Sequence, residues 1–147
     1  MFGTFLYYLY TRVTYFPCIV SPGELSINAT HSNVARFFEN ITLTCSSRGG
    51  PDNVYQWLRN GIGNTTIGSQ PELIFPLITA YNGGKYTCIV SNAAGITNVS
   101  FTLYIQPYIE TDRPMQIQIA NVSEVVTFSC VAFGFPAPVY QWNKVDD

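Results

Sequence analysis

From Leu25 onward the chain reads as short runs of alternating apolar and polar residues, broken about every eight to twelve positions by Gly, Asn, Pro or Ser. Ile41, Leu43 and Cys45 alternate with Thr42 and Thr44. The two-residue period of a strand therefore turns the odd positions toward a core and the even ones toward water. The turn formers Gly49, Gly50, Pro51 and Asp52 precede a second strand that carries Tyr55 and Trp57. Leu73 and Phe75 predict a third strand, and Tyr86, Cys88 and Val90 a fourth. Val99, Phe101, Leu103 and Ile105 predict a fifth. Each run buries one face only and nothing repeats at helical spacing, so the expected fold is an all-β antiparallel sandwich.

An internal repeat sets the expected organisation. The string ITLTC ending at Cys45 returns as VTFSC ending at Cys130, and VYQW ending at Trp57 returns unchanged at Trp142. Trp follows Cys by twelve positions in both copies (57 − 45 = 142 − 130), and the copies are offset by 85 residues. That offset is the length of one small sandwich with its connection, so residues 22–106 are expected to form a complete domain and 107–147 only the opening strands of a second. The boundary is placed at Gln106 and Pro107, where a proline without an N–H is expected to end the last strand. Residues 1–21 stand apart as an N-terminal segment. Met1 to Tyr10 is apolar enough for the core of a signal peptide, yet no Lys or Arg precedes it and no small-x-small site follows. An extra leading strand or the remnant of an upstream domain are the other readings. No run reaches the roughly 18 to 20 apolar residues of a membrane span, so no direct span is expected in this chain.

Composition narrows the function classes. With 47% apolar, 15% aromatic and 11% charged residues the chain is expected to build a packed core. A net charge of −2 with scattered Lys and Arg offers no basic stripe, which excludes nucleic acid as the expected partner. The cysteines at 18, 45, 88 and 130 contain no C-x-x-C pair, and His31 is the sole histidine, so zinc-ligand spacing is missing and disulfide chemistry is the better reading. Asn-x-Ser/Thr sequons at Asn28, Asn40, Asn64, Asn98 and Asn121 point to a secreted surface bearing N-linked glycans. A hydrolytic triad would rest wholly on His31, which reads as a solvated loop residue. Asp146 and Asp147 read as solvated charge rather than a catalytic pair. The glycines of GIGNTTIG (Gly61, Gly63, Gly68) sit in an all-β pattern with no helix after them, and read as a turn rather than a phosphate cradle. No catalytic residue, cofactor or metal is expected.

The pattern Cys45, Trp57, Cys88, together with Leu73, Phe75, Ile78, Asn82, Gly84, Tyr86 and Cys88 in the register L-x-I-x-x-V-x-x-x-D-x-G-x-Y-x-C, resembles the immunoglobulin superfamily in its I-set or C2-like branch. The resemblance implies a disulfide between Cys45 and Cys88 across the two sheets, with the Trp57 indole packed on it and Tyr86 as a tyrosine corner. It covers residues 22–106 as a full domain and 107–147 as strands A to C of another. Sixteen positions from Trp57 to Leu73 are too few for the additional strands of a variable-type domain, so seven strands or fewer are expected. Asn82 departs from the family's usual Asp, whose ion pair with an Arg is thereby in question. The resemblance assigns Cys130 a partner on a strand beyond residue 147. Cys18 and Cys130 are both expected to be unpaired, a bridge between them being the alternative.

The resemblance implies a non-catalytic recognition or adhesion module at the cell surface, binding a protein ligand or a like molecule on another cell. Two other readings stand beside it: the ligand-binding ectodomain of a receptor tyrosine kinase, and an intracellular structural array, against which the sequons and the disulfide pattern speak. With Trp57 and Cys88 inward, Val54, Leu58 and Ile89 are expected to point outward as a partner face, bordered by a glycan at Asn98.

Overall fold

The alternation at Ile41–Cys45 builds a strand whose Ile41, Leu43 and Cys45 are buried while Thr42 and Thr44 are only half-covered. The computed structural model in which this is seen describes residues 19–50, 52–61, 63, 65–110 and 119–144. In chain order the strands are β1 (Gly23–Ala29), β2 (Val34–Ala35), β3 (Ile41–Arg48), β4 (Val54–Arg59), β5 (Thr65–Gly68) and β6 (Glu72–Phe75). A single 3-10 turn, Ala80–Asn82, leads into β7 (Gly84–Asn92), β8 (Gly95–Ile109) and β9 (Ala132–Phe135). The expectations for residues 1–18, Cys18, Asn64, Asp146 and Asp147 fall outside the described residues.

Two sheets face one another. One has the order β1-β3-β6; the other has the order β2-β8-β7-β4-β5, with β9 added to β8. β1 pairs antiparallel with β3, whereas β2 pairs parallel with β8, so the leading strand crosses from one sheet to the other around Thr30–Asn33. Counted as two halves of one strand, β1 and β2 bring the described residues up to Ile109 to seven strands, and among the described residues between Arg59 and Glu72 the only strand is the short edge strand β5. Between the sheets lie Ala35, Ile41, Leu43, Cys45, Trp57, Ile78, Tyr86, Cys88, Val90, Leu103 and Ile105, all buried. Leu73, Phe75, Val99 and Phe101 pack half-covered against them. The inward positions of each alternating run, odd in β3 and even in β7, are thus the core, because each strand has one neighbour sheet and turns its other face to water.

Two sequence expectations are overturned. The last strand of the sandwich does not stop at Gln106–Pro107 but runs on to Ile109. Pro107 is carried because the β8–β9 ladder slips register between Ile105 and Tyr108, so the residue without an N–H is skipped rather than paired. The second copy also lacks strands at VTFSC and VYQW: among residues 119–144 the only strand is β9, which lies between those strings. A B or C strand forms against neighbouring strands, and none is available to either string among the described residues. The intervening Ala132–Phe135 pairs instead with the extended edge of β8. Trp142 is accordingly 63% exposed, against 0% for Trp57 in the identical string.

Candidate functional site

Cys45 on β3 and Cys88 on β7 are joined by a disulfide across the two sheets, with an S–S distance of 2.07 Å and a sequence separation of 43. Trp57 stands directly across from Cys88 in the β4–β7 ladder, so its indole shares the inward face with the bridge. Its ring nitrogen donates to the Gln70 carbonyl oxygen at 3.0 Å, which satisfies the one polar atom of an otherwise apolar side chain. Tyr86, also buried, donates its hydroxyl to the Asn82 carbonyl oxygen at 2.6 Å and packs edge-on against Phe75.

Asn82 takes a local role where a carboxylate would have formed an ion pair. Its side-chain oxygen accepts from the Thr79 amide at 2.8 Å and the Thr79 hydroxyl at 2.9 Å, closing the turn before β7. The nearby cation, Arg59, donates from Nη2 to the carbonyl oxygens of Tyr81 and Gly83 instead, and stands 5.9 Å from the centre of the Tyr86 ring. The turn is therefore held by hydrogen bonds alone. Gly84 follows at φ 145°, a conformation closed to other residues, which accounts for the glycine of the motif.

Burial pushes the Tyr86 phenol above its usual value of 10.0, and the Arg59 charge partly offsets this. Because the folded protein holds the proton more tightly than the unfolded chain does, the contribution to stability is complete below about pH 10. It is lost as pH rises through the folded value. Tyr86→Phe is expected to abolish this alkaline dependence and to cost about 1 kcal/mol at neutral pH, as measured by urea unfolding at several pH values. A variant with undiminished alkaline sensitivity would place its origin elsewhere.

The outward face of the β5-β4-β7-β8 sheet carries the expected partner residues. Val54 is 63% exposed; Leu58 and Ile89 are half-covered and point outward. They do not form a purely apolar patch. In register, Val54 lies across from Ser91, Leu58 from Thr87, and Ile89 between Gln56 and Asn98. Gln56 reaches over to the Thr66 hydroxyl at 2.6 Å, and Thr87 bonds with both Asn60 and Ser100 at 2.8 and 2.9 Å. The face is a set of apolar side chains set among satisfied hydroxyls and amides.

Sequence reasoning missed Ile96, which stands across from Ser91 on β8 and is 73% exposed. Its even position, shared with Asn98, was the available signal. Asn28, Asn40, Asn98 and Asn121 are all exposed. Asn28 lies on the outward face of β1 across from Thr44, and Asn40 immediately precedes β3 with the same outward parity as Thr42. His31 is exposed in the loop between β1 and β2, and Cys130 is an exposed free thiol. No helix among the described residues is long and apolar enough to cross a membrane.

Two facing sheets, a disulfide pinned between them and an indole set against it define an immunoglobulin-type sandwich. The chain belongs to the immunoglobulin domain family, whose pattern matches residues 24–105. Among curated proteins it is 36% identical over 108 residues to "Tyrosine-protein kinase-like otk" of Drosophila willistoni, covering 68% of this chain and 10% of that protein. It is 29% identical over 126 residues to "HEPACAM family member 2" of Bos taurus, covering 76% of this chain and 26% of that protein. The chain thus spans between a tenth and about a quarter of the length of these relatives. Among solved structures, the N-terminal four Ig domains of Dscam1 isoform 4.4 share the fold with a TM-score of 0.50 at 24% identity, over 59% of this chain and 21% of that one. Sidekick-1 immunoglobulin domains 1-5 share it with a TM-score of 0.50 at 21% identity, over 62% of this chain and 19% of that one.

Proposed function

We propose that this chain is an extracellular, non-catalytic recognition module of a tandem-immunoglobulin cell-surface protein. Its contact surface is the outward face of the β5-β4-β7-β8 sheet, which meets a protein ligand or a like molecule on another cell. The observation that carries the reading is the group Val54, Leu58, Ile89 and Ile96, all outward on adjacent strands of one sheet, with Val54 63% and Ile96 73% exposed and Leu58 and Ile89 partly buried. Such side chains, rimmed by satisfied polar groups, suit a protein interface, whose centre is apolar and whose margin is polar. The sequons add a second argument. Among the described sequons, glycans at Asn28 and Asn40 would cover the opposite sheet, whereas Asn98 is the one on this face, at a β8 position beside Ile89.

Leu58→Asp and Ile89→Asp are each expected to weaken association roughly tenfold or more by placing a charge in the contact. Both variants should leave the melting temperature nearly unchanged, since neither side chain belongs to the core. Sedimentation of the glycosylated protein measures self-association, and binding to cells that bear partners measures the heterophilic case. Asn98→Gln is expected to alter the same constant by removing the bordering glycan. If both aspartates leave it unchanged, the contact lies on the loops or on the opposite sheet. The kinship with a tyrosine-protein kinase-like protein supports a second reading, that this module is part of a receptor ectodomain whose ligand contact transmits a signal.

A further inference from the structure

We infer that the base of the sandwich is a socket for the segment that follows it, with Gly83 as the residue that admits Phe135, so that the two parts of the chain meet at a clamped joint. In the family register the position between Asn82 and Gly84 is open to any residue, and here it is glycine. The backbone does not require this: Gly83 has φ −65° and ψ 145°, which every residue adopts. The requirement is spatial. A Cβ built on Gly83 would lie 2.1 Å from Cβ and 2.4 Å from Cγ of Phe135, so the phenylalanine occupies the volume that any other side chain would need.

Gly83 cannot readily retreat. Its carbonyl oxygen accepts from Arg59 at 3.0 Å and its amide donates to the Ala80 carbonyl oxygen at 3.2 Å. Phe135 packs there against the core of the sandwich. The opposite side of the joint is equally close. Gly134 brings β9 so near to β8 that a Cβ would lie 3.2 Å from the Ile105 oxygen and from Cα of Pro107. The ladder Ile105↔Phe135, Tyr108↔Phe133 and Ile109↔Ala132 carries the pairing past Pro107, and the Tyr108 ring stacks on Phe37 at 5.0 Å. Tyr140 closes the far end, its hydroxyl bonding both the amide and the carbonyl of Ala132 at 2.9 and 3.1 Å. A joint held by a ladder, a ring stack and a partly buried phenylalanine has a fixed direction, which would let the sandwich orient the segment that follows.

Hydrogen exchange on the whole chain tests the socket, with Trp57 fluorescence as the report on the sandwich itself. Gly83→Ala and Phe135→Ala are each expected to speed exchange at Ala132–Phe135 and Tyr108–Ile109 roughly tenfold or more while Trp57 stays buried. Gly83→Ala added to Phe135→Gly should exchange no faster than Phe135→Gly alone, because loss of both the Cβ and the ring leaves room for the added methyl. Unchanged exchange in Phe135→Ala, which takes the ring out of the socket, would overturn the inference. So would unchanged exchange in a folded Gly83→Ala, or full additivity of the two effects. Should Gly83→Ala unfold the sandwich, the Phe135→Ala result decides alone.

Discussion

Trp57→Ala is expected to destabilise the sandwich by about 3 to 5 kcal/mol, whereas Trp142→Ala changes its stability by less than about 0.5 kcal/mol. The two tryptophans end identical VYQW strings, yet one is 0% and the other 63% exposed. Removing the Trp57 indole empties the space beside the disulfide and leaves the Gln70 carbonyl oxygen without its donor, so a cavity and a lost hydrogen bond act together. The Trp142 ring lies 6.3 Å from that of Phe128 and is 63% exposed, so little is lost with it. Urea unfolding followed by far-ultraviolet dichroism, which does not depend on the tryptophans, measures both. Comparable losses in the two variants would mean that the second string is packed as the first is.

Replacing Cys45 and Cys88 together by Ala is expected to cost about 4 kcal/mol, the chain-entropy value for a bridge closing a loop of 43 residues. A sandwich of this size is marginal without a staple, so the variant should be largely unfolded at 37 °C, and reduction of the parent protein should have the same effect. The measurement is thermal unfolding with and without a reductant. Removal of the free thiol by Cys130→Ser should leave the transition in place, since Cys130 is exposed. A melting temperature insensitive to reduction would show that burial of Trp57, Leu43 and Ile41 alone suffices.

The proposed partner face divides differently between sequence and structure. Parity alone placed Val54, Leu58 and Ile89 outward, and they are so. The company they keep was not legible, because the β4–β7–β8 register that sets Ile89 between Gln56 and Asn98 is a relation between strands distant in the chain. The same holds for Asn82. Its identity put the usual ion pair in question, but only the fold shows Arg59 turning to the carbonyl oxygens of Tyr81 and Gly83.

What the sequence by itself determined about this protein is therefore the sandwich: the inward residues, the bridge from Cys45 to Cys88 and the tyrosine corner at Tyr86. The inward residues follow from a two-residue period, a property of a single strand, whereas the bridge and the tyrosine corner follow from the immunoglobulin resemblance carried by the Cys…Trp…Cys and L-x-I…G-x-Y-x-C spacings. The tertiary structure alone decided where the last strand ends and what the repeated strings become. Pro107 reads locally as a stop, yet β8 passes it because β9 offers a partner on the far side of a register slip. VTFSC and VYQW read as strands, yet they are none here, since a strand is stabilised by neighbours that no local pattern supplies. Gly83 is the clearest instance: nothing in its own turn calls for glycine, and the ring that fills its space comes from a residue fifty-two positions later (135 − 83).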